Sequence, residues 1–367
     1  MFSADDHRFM AQALRLAERG LYTTDPNPRV GCIVVKDGVV VGEGWHQRAG
    51  SPHAEVHALQ QAGDNAAGTT AYITLEPCAH HGRTPPCTEA LIKSGLSRVV
   101  VAMQDPNPQV AGQGLQALRD ASVETEAGLL AGDAEALNPG FAMRMRNARP
   151  WVRCKLAMSL DGRTAMAGGE SQWITGTAAR EDVHRLRARS SAIMTGIGTV
   201  LADDPSLTAR LDGHDAGTLL QPIRVVLDSD LKLPPQAKLL EQPGETLVVT
   251  GDVDGAREAA LARPGVSIVT LPVHKGRLQL MAVLQYLAHL EINEVHLEAG
   301  ARLSGAMLAA GLVDELVIYM APHLMGDAAR GLFHLPGLKK MEQRMQLLVS
   351  DVRAVGQDWR ITAQVAV

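Results

Sequence analysis

The sequence predicts an α/β protein of two consecutive domains, and three observations carry that prediction. The chain has 367 residues, more than a single core of about 250–300 residues usually accommodates. In both halves β-rich runs alternate with helical periodicities, the order expected of largely parallel sheets with helices on their faces. Between Asn138 and Pro150 the alternation breaks at an Asn-Pro-Gly run and a stretch bearing Arg144, Arg146 and Arg149. A new β-rich run opens at Trp151, so the boundary is placed to give domains 1–147 and 148–367.

In the first domain, Met10, Ala13, Leu14 and Ala17 recur at helical spacing, with Ser3 and Asp6 as a capping box and Gly20 as the stop. Val30 to Val35 and Val39 to Trp45 read as strands joined by Lys36-Asp37-Gly38, and Asp-Gly is a hairpin signal. A helix follows from near His53, then a strand at Ala71 to Leu75, a helix at Thr88 to Ser94, a strand at Arg98 to Ala102, a helix at Leu115 to Ala121 and a short strand near Val123. This order predicts a mostly parallel sheet covered on both faces. In the second domain the helices are expected at Ala178 to Arg189, Gly255 to Arg263, Leu278 to Leu290 and Arg302 to Ala310. Strands are expected at Trp151 to Met158, Ala192 to Thr195, Ile223 to Leu227, Thr246 to Thr250, Val266 to Thr270, Glu294 to Leu297 and Glu315 to Ala321. Two closing β-rich runs, Gln346 to Val355 and Trp359 to Val365, suit an antiparallel edge.

Composition narrows the partners. Lys+Arg total 35 against 40 Asp+Glu, a net charge of -5 without a basic face, and aromatic residues make up 3%. Both counts argue against nucleic acid, which needs phosphate-neutralising cations or stacking platforms. The acidic start, Met1 to Asp6, has no apolar run behind it, and no stretch approaches the ~20 apolar residues of a membrane span. A cytoplasmic protein with reduced thiols and a small-molecule substrate is expected. In such a compartment, cysteines near histidines are metal or catalytic candidates before they are disulfides.

His53-Ala54-Glu55 is a His-x-Glu triplet, followed by Pro77-Cys78 and then Cys87. Zinc-dependent deamination of a base needs three imidazole or thiolate ligands, an open fourth position for water, and a carboxylate that is not a ligand. His53, Cys78 and Cys87 supply the ligands and Glu55 the proton carrier. With 13 His and 18 Glu, one such triplet is expected by chance about 0.6 times. A second, His296-Leu297-Glu298, has no cysteine after it and is set aside as a metal site. Cys32 and Cys154 lie in apolar strands and are expected in the cores.

The runs Pro26 to Gly31, His53 to Ala58 and Glu76 to Cys87 resemble the N-terminal domain of the bifunctional riboflavin-biosynthesis deaminase/reductase family. Eight residues separate Cys78 from Cys87, where the general cytidine-deaminase-like signature has two, and the long His-His-Gly-Arg-Thr-Pro-Pro loop is what looks specific to this branch. The resemblance implies a cytidine-deaminase-like α/β/α domain with zinc on His53, Cys78 and Cys87, Glu55 as proton shuttle and Asn27 against the pyrimidine. His80 and His81 are assigned to substrate or loop contacts, since three ligands and a water fill a tetrahedral catalytic site.

Thr195-Gly196-Ile197-Gly198-Thr199-Val200-Leu201 begins like a dinucleotide fingerprint, but Leu201 stands where the third glycine belongs, so a Rossmann domain is rejected. Glu298 to Ala306, after a strand and opening a helix, is a better anion cradle. The runs Lys155 to Ala165, Ser171 to Thr175, Thr199 to Pro205, Pro222 to Ser229 and Glu298 to Ala306 resemble the family's reductase domain, which has a dihydrofolate-reductase-like fold and uses NADPH. By that resemblance Ala157, Trp173, Thr199, Asp203, Ser229, Gly300, Ala301, Arg302, Leu303, Ser304, Gly305 and Ala306 line the cofactor, and Ser171, Arg187, Leu207, Arg210 and Glu298 hold the substrate. Asp203 or Lys155 is expected to assist proton delivery.

The implied activity is deamination of 2,5-diamino-6-(5-phosphoribosylamino)pyrimidin-4-one, then NADPH-dependent reduction of the ribose to ribityl in the deaminated product, in a homo-oligomer. The alternative is a zinc deaminase of another base fused to a non-catalytic nucleotide-binding module, separable by NADPH oxidation with the deaminated pyrimidine. A purely structural zinc site is disfavoured by three protein ligands beside a glutamate.

Overall fold

The structure, a computed structural model, describes residues 1–80, 85–213, 219–252 and 254–366, and the chain divides into two compact units, Met1–Ala148 and Arg149–Val367. Of the expected deaminase loop, His81, Gly82, Arg83 and Thr84 lie outside the described residues. Among the described residues no helix is long and apolar enough to cross a membrane.

The first unit runs α1 (Ala4–Ala17), β1 (Gly31–Lys36), β2 (Val39–Trp45), α2 (Ala54–Ala62), β3 (Thr70–Ile73), α3 (Cys87–Lys93), β4 (Arg98–Val101), α4 (Gln113–Asp120), β5 (Glu124–Ala127), α5 (Ala131–Leu137) and α6 (Pro139–Asn147). The Ser3 hydroxyl accepts from Asp6 N at 3.0 Å and the Asp6 carboxylate accepts from Ser3 N at 2.8 Å, so the expected capping box opens α1. Asp37 and Gly38 both have positive φ, the two-residue turn that matches strand twist, and they set the β1–β2 hairpin. The sheet order is β2-β1-β3-β4-β5. Because the hairpin reverses β1, it pairs antiparallel with both β2 and β3, and only β3-β4-β5 is parallel. The sheet is therefore half antiparallel, not mostly parallel as expected. Its faces bury separate cores, one with Met10 and Ala13 of α1 and Ala134 of α5, the other with Ala58 of α2, Leu91 of α3 and Leu115 of α4. Within Asn138 to Pro150, expected as a break, Pro139–Asn147 is helical instead: Pro139 occupies the first turn of α6, where its missing N–H is no loss.

The second unit runs β6 (Trp151–Ser159), β7 (Arg163–Ala165), α7 (Thr177–Ala188), β8 (Ala192–Gly196), α8 (Ile197–Asp203), β9 (Ile223–Leu227), β10 (Thr246–Thr250), α9 (Gly255–Leu261), β11 (Val266–Thr270), β12 (Val273–His274), β13 (Arg277–Leu278), α10 (Leu280–His289), β14 (Glu294–Leu297), α11 (Ala301–Ala309), β15 (Glu315–Ala321), β16 (Arg330–Gly331), β17 (Leu347–Val355) and β18 (Asp358–Val365). Its main sheet has the order β11-β10-β9-β8-β14-β6-β15-β18-β17, parallel up to β15 and antiparallel over the last two strands. Val152, Cys154, Val295 and Leu297 pack with Leu284 of α10 and Met307 of α11 on one face, while Val183 and Leu186 of α7 pack with Val317 and Tyr319 on the other. After β6 the chain steps outward through β8 to β11 and then returns to insert β14 between β8 and β6. Carboxyl ends of strands at such a reversal are where open α/β sheets bind ligands.

Candidate active sites of the two units

In the first unit His53 caps the start of α2, Cys87 is the first residue of α3, and Cys78 sits on the loop before it. Their ligand atoms all lie within 4.8 Å of one another, with His53 Nδ1 at 3.1 Å from Cys87 Sγ and 3.7 Å from Cys78 Sγ. A tetrahedral zinc with ordinary bond lengths sets such edges at roughly 3.6–3.8 Å, so the donor set fits zinc. The Cys87 backbone N–H also reaches Cys78 Sγ at 3.3 Å. Hydrogen bonding from Cys87, against the opposing effect of burial, holds the Cys78 thiol down at about 4, and the neighbouring Cys78 pushes the Cys87 thiol up. Hydrogen bonding to Cys78 raises the pKa of His53.

Glu55, in the first turn of α2, is 3% exposed, and its Oε2 has no hydrogen-bond partner among the described residues. Burial raises its pKa. A carboxylate left so disposed is costly unless something polar meets it, and it stands two residues from His53 of the candidate donor set. What brings α2 there is Gly44 of β2, where a Cβ would lie 2.1 Å from the Ala54 carbonyl oxygen. Any larger residue would lift the helix start off the strand.

Two participants escaped the sequence reading. His46, 3% exposed, has Nε2 at 3.1 Å from Asn27 Nδ2, and its ring meets that of His53 edge-on at 5.3 Å. Glu76 is buried, and its carboxylate accepts four backbone N–H groups, from Asp105 (3.1 Å), Gly112 (2.9 Å), Gly114 (2.9 Å) and Leu115 (3.2 Å). It ties the Pro77-Cys78 loop to the N-terminal end of α4, and Gly114 packs so closely that a Cβ there would sit 2.1 Å from the Pro77 carbonyl oxygen. Neither role has a local sequence signature, since each depends on segments about 20–40 residues apart meeting.

In the second unit the candidates cluster at the carboxyl edge of the parallel strands: Ala157 near the end of β6, Thr199 in the first turn of α8 after β8, Ser229 just beyond β9, and Glu298 with the Gly300–Ala306 turn after β14. Thr195 Oγ donates to the Glu298 carbonyl oxygen at 2.7 Å, fixing the last turn of β14 against β8. Gly300 precedes α11 with open space where a Cβ would stand, so the first N–H groups of that helix are approachable. Arg187 does not belong to a solvent-facing row, although Arg185 beside it does. Its Nε and Nη2 grip the Glu298 carboxylate at 2.5 and 2.9 Å, and Nη1 donates to the Thr208 carbonyl oxygen at 2.9 Å. Burial alone would raise the Glu298 pKa, yet Arg187 outweighs it and holds the carboxyl well below its usual range. Arg210 Nη2 donates to His184 Nε2 at 3.1 Å, and Leu207, 3% exposed, has positive φ. Lys155 is half-buried near Glu298, and desolvation lowers its pKa. Asp203 ends α8 largely exposed, and partial burial of its carboxyl raises its pKa. Ser171 and Trp173 lie between β7 and α7, with the Arg180 guanidinium 4.8 Å from the Trp173 ring centre.

Residues 3–103 match the model of the cytidine and deoxycytidylate deaminase zinc-binding region, and residues 150–361 match that of the RibD C-terminal domain. Over 361 residues the chain is 53% identical to the riboflavin biosynthesis protein RibD of Escherichia coli K12, covering 96% of this chain and 97% of that one. It is 48% identical to the Haemophilus influenzae RibD, with 98% of each chain covered. Among solved structures, Acinetobacter baumannii RibD superposes with a TM-score of 0.92 at 47% identity, covering 99% of both chains. A diaminohydroxyphosphoribosylaminopyrimidine deaminase/5-amino-6-(5-phosphoribosylamino)uracil reductase from Thermotoga maritima superposes at 0.87 with 32% identity and the same coverage. With matches this close running through both units, the chain belongs to the RibD family of bifunctional riboflavin-biosynthesis enzymes, a zinc-dependent deaminase joined to a reductase.

Proposed function

We propose that residues 1–147 deaminate 2,5-diamino-6-(5-phosphoribosylamino)pyrimidin-4-one and residues 148–367 reduce the ribose of the resulting 5-amino-6-(5-phosphoribosylamino)uracil. The observation that carries the first half is the buried, unpartnered Glu55 Oε2 beside the His53, Cys78 and Cys87 donor set. Zinc on those three donors supplies a Lewis acid that acidifies a water at neutral pH. With zinc bound, Glu55 would be the group that carries a proton from the water to the departing amino group, and its raised pKa suits a residue that must both accept and release. Asn27, hydrogen-bonded to His46, faces the pyrimidine and fixes which amine is presented.

In the reductase half, Ala157, Trp173, Thr199, Asp203, Ser229 and the Gly300–Ala306 turn line an NADPH site, the phosphates resting on the start of α11. NADPH supplies the hydride. Ser171, Leu207, Arg210 and Glu298 hold the phosphoribosyl substrate, with Arg187 locking Glu298 in place. Asp203, whose carboxyl holds its proton more firmly than usual, would be the group that supplies a proton to the ribose oxygen when NADPH is bound. The enzyme works in the cytoplasm as a homo-oligomer, an assembly supported by edge strand β17, which exposes Leu348 at 63%, Val349 at 58% and Val352 at 55%. A bare apolar edge strand is a pairing hazard unless covered.

Glu55→Gln tests the mechanism. Loss of the proton carrier lowers the deamination rate by about 10²–10⁴-fold, with zinc content and reduction of the deaminated pyrimidine unchanged. A deamination rate within a few-fold of the parent protein would falsify the assignment.

A further inference from the structure

The second His-x-Glu triplet, His296-Leu297-Glu298, spans the end of β14 in the reductase unit. Val295 and Leu297 enter the core beneath α10 and α11, so strand alternation turns Glu294 and His296 to the opposite face, under α7. On neighbouring β6, Arg153 stands in register with His296, and Lys155 follows on the same face. This face carries a buried row of charge. At one end Arg153 pairs with Glu294 at 3.0 Å and with Glu315; at the other Arg187 grips Glu298. His296 lies between the two ends, 0% exposed, with Nε2 at 3.3 Å from Glu298 Oε1. Neither of its ring nitrogens meets hydrogen-bond geometry with any described residue, so the 3.3 Å approach to the Glu298 carboxylate is a contact and not a formed hydrogen bond.

A buried imidazole set among Arg153, Arg187 and one carboxylate lowers its cost by turning its N–H toward the carboxylate, the one acceptor among them. Burial also holds the ring below its ordinary pKa, so it meets the carboxylate as a neutral donor. Arg187 fixes Glu298 from the α7 side, and His296 approaches the same carboxylate from within the sheet. With Arg187 bonded on one side and the imidazole in contact on the other, the carboxylate has little room to turn.

We propose that His296 is a positioning residue for the reductase: together with Arg187 it fixes the Glu298 carboxylate in the orientation that receives a ribose hydroxyl of the phosphoribosylaminopyrimidine. This rests on the reading that Glu298 holds that substrate.

The test compares His296→Leu and His296→Gln in the full chain, with KM for 5-amino-6-(5-phosphoribosylamino)uracil, KM for NADPH and kcat measured separately. His296→Leu is expected to raise the substrate KM about tenfold, the scale of one lost polar interaction with a charged group, with KM for NADPH and the deaminase rate of the same chain within about twofold. His296→Gln, which keeps an N–H donor at similar reach, restores the substrate KM to within about threefold of the parent protein. An unchanged substrate KM in His296→Leu, or a Gln variant no better than Leu, overturns the proposal. Glu298→Gln separates the two failures. If that change also leaves the substrate KM unaltered, the assignment of Glu298 to the substrate falls and takes the proposal with it; if it raises KM while His296→Leu does not, the role of His296 alone is refuted.

Discussion

His184 stands one helical turn before Arg187 on α7 and accepts a hydrogen bond from Arg210, which only the neutral ring can do. Burial, with the Arg187 and Arg210 charges beside it, pulls its pKa down from 6.5 to about 4. Between those values the unfolded chain binds a proton that the folded chain refuses, so the contribution to stability is complete above pH 6.5 and is lost as pH falls toward 4. The melting temperature of the parent protein is therefore expected to drop more steeply from pH 7 to pH 4.5 than that of His184→Asn; parallel curves would refute this. The functional benefit is that two arginines stay charged beside a ring that adds no third charge to their mutual repulsion. The gathering of His53, Cys78 and Cys87 was legible because two of only four cysteines follow a His-x-Glu triplet in a fixed order. His46, Glu76, His184 and His296 were not legible as participants. Each is defined by a partner brought near by folding, and no local pattern announces a buried hydrogen bond.

Most elements were legible from hydrophobic periodicity and turn chemistry, as the Asp37-Gly38 hairpin and the Ser3/Asp6 cap illustrate. The exceptions have local causes. Leu130, the residue that caps α5, adopts positive φ where glycine or asparagine is the usual signal, and Pro139 reads as a breaker although it starts α6. Seven-residue α8 is too short for periodicity to distinguish from a turn. Among the connections, the clamp from Glu76 to the start of α4 has the clearest consequence. Glu76→Gln replaces an oxygen that accepts backbone N–H groups with an amide nitrogen that donates, so at least one clamp bond is lost and the Cys78 loop loosens. Zinc release into a chromogenic chelator is expected to speed up by about tenfold, on the scale of one charge-assisted hydrogen bond, while the reductase rate holds. Equal release rates in variant and parent would show that the clamp does not act on the ligand loop.

At the scale of the molecule, the sequence announced alternating strands and helices but not the order of the strands. That order depends on which strand returns to which gap, as β14 does between β8 and β6, and on the reversal of β1 by its hairpin. Each unit has its own hydrophobic cores, so removing the metal should be felt in one of them. Prolonged chelation is expected to abolish deamination and lower the first calorimetric transition, leaving NADPH oxidation with the deaminated pyrimidine at its original rate. Loss of both activities together would refute this independence.

The four cysteines also divide by reach. Cys32 and Cys154 are 0% exposed in their strands and Cys87 is 1% exposed, whereas Cys78 is partly open and already inclined to ionise. A thiol-directed label applied to the folded chain thus has one address, and that address belongs to the proposed zinc donor set. Occupied protein would shield it and metal-free protein would surrender it, so the chain carries its own sulfhydryl gauge of how much of a preparation is loaded.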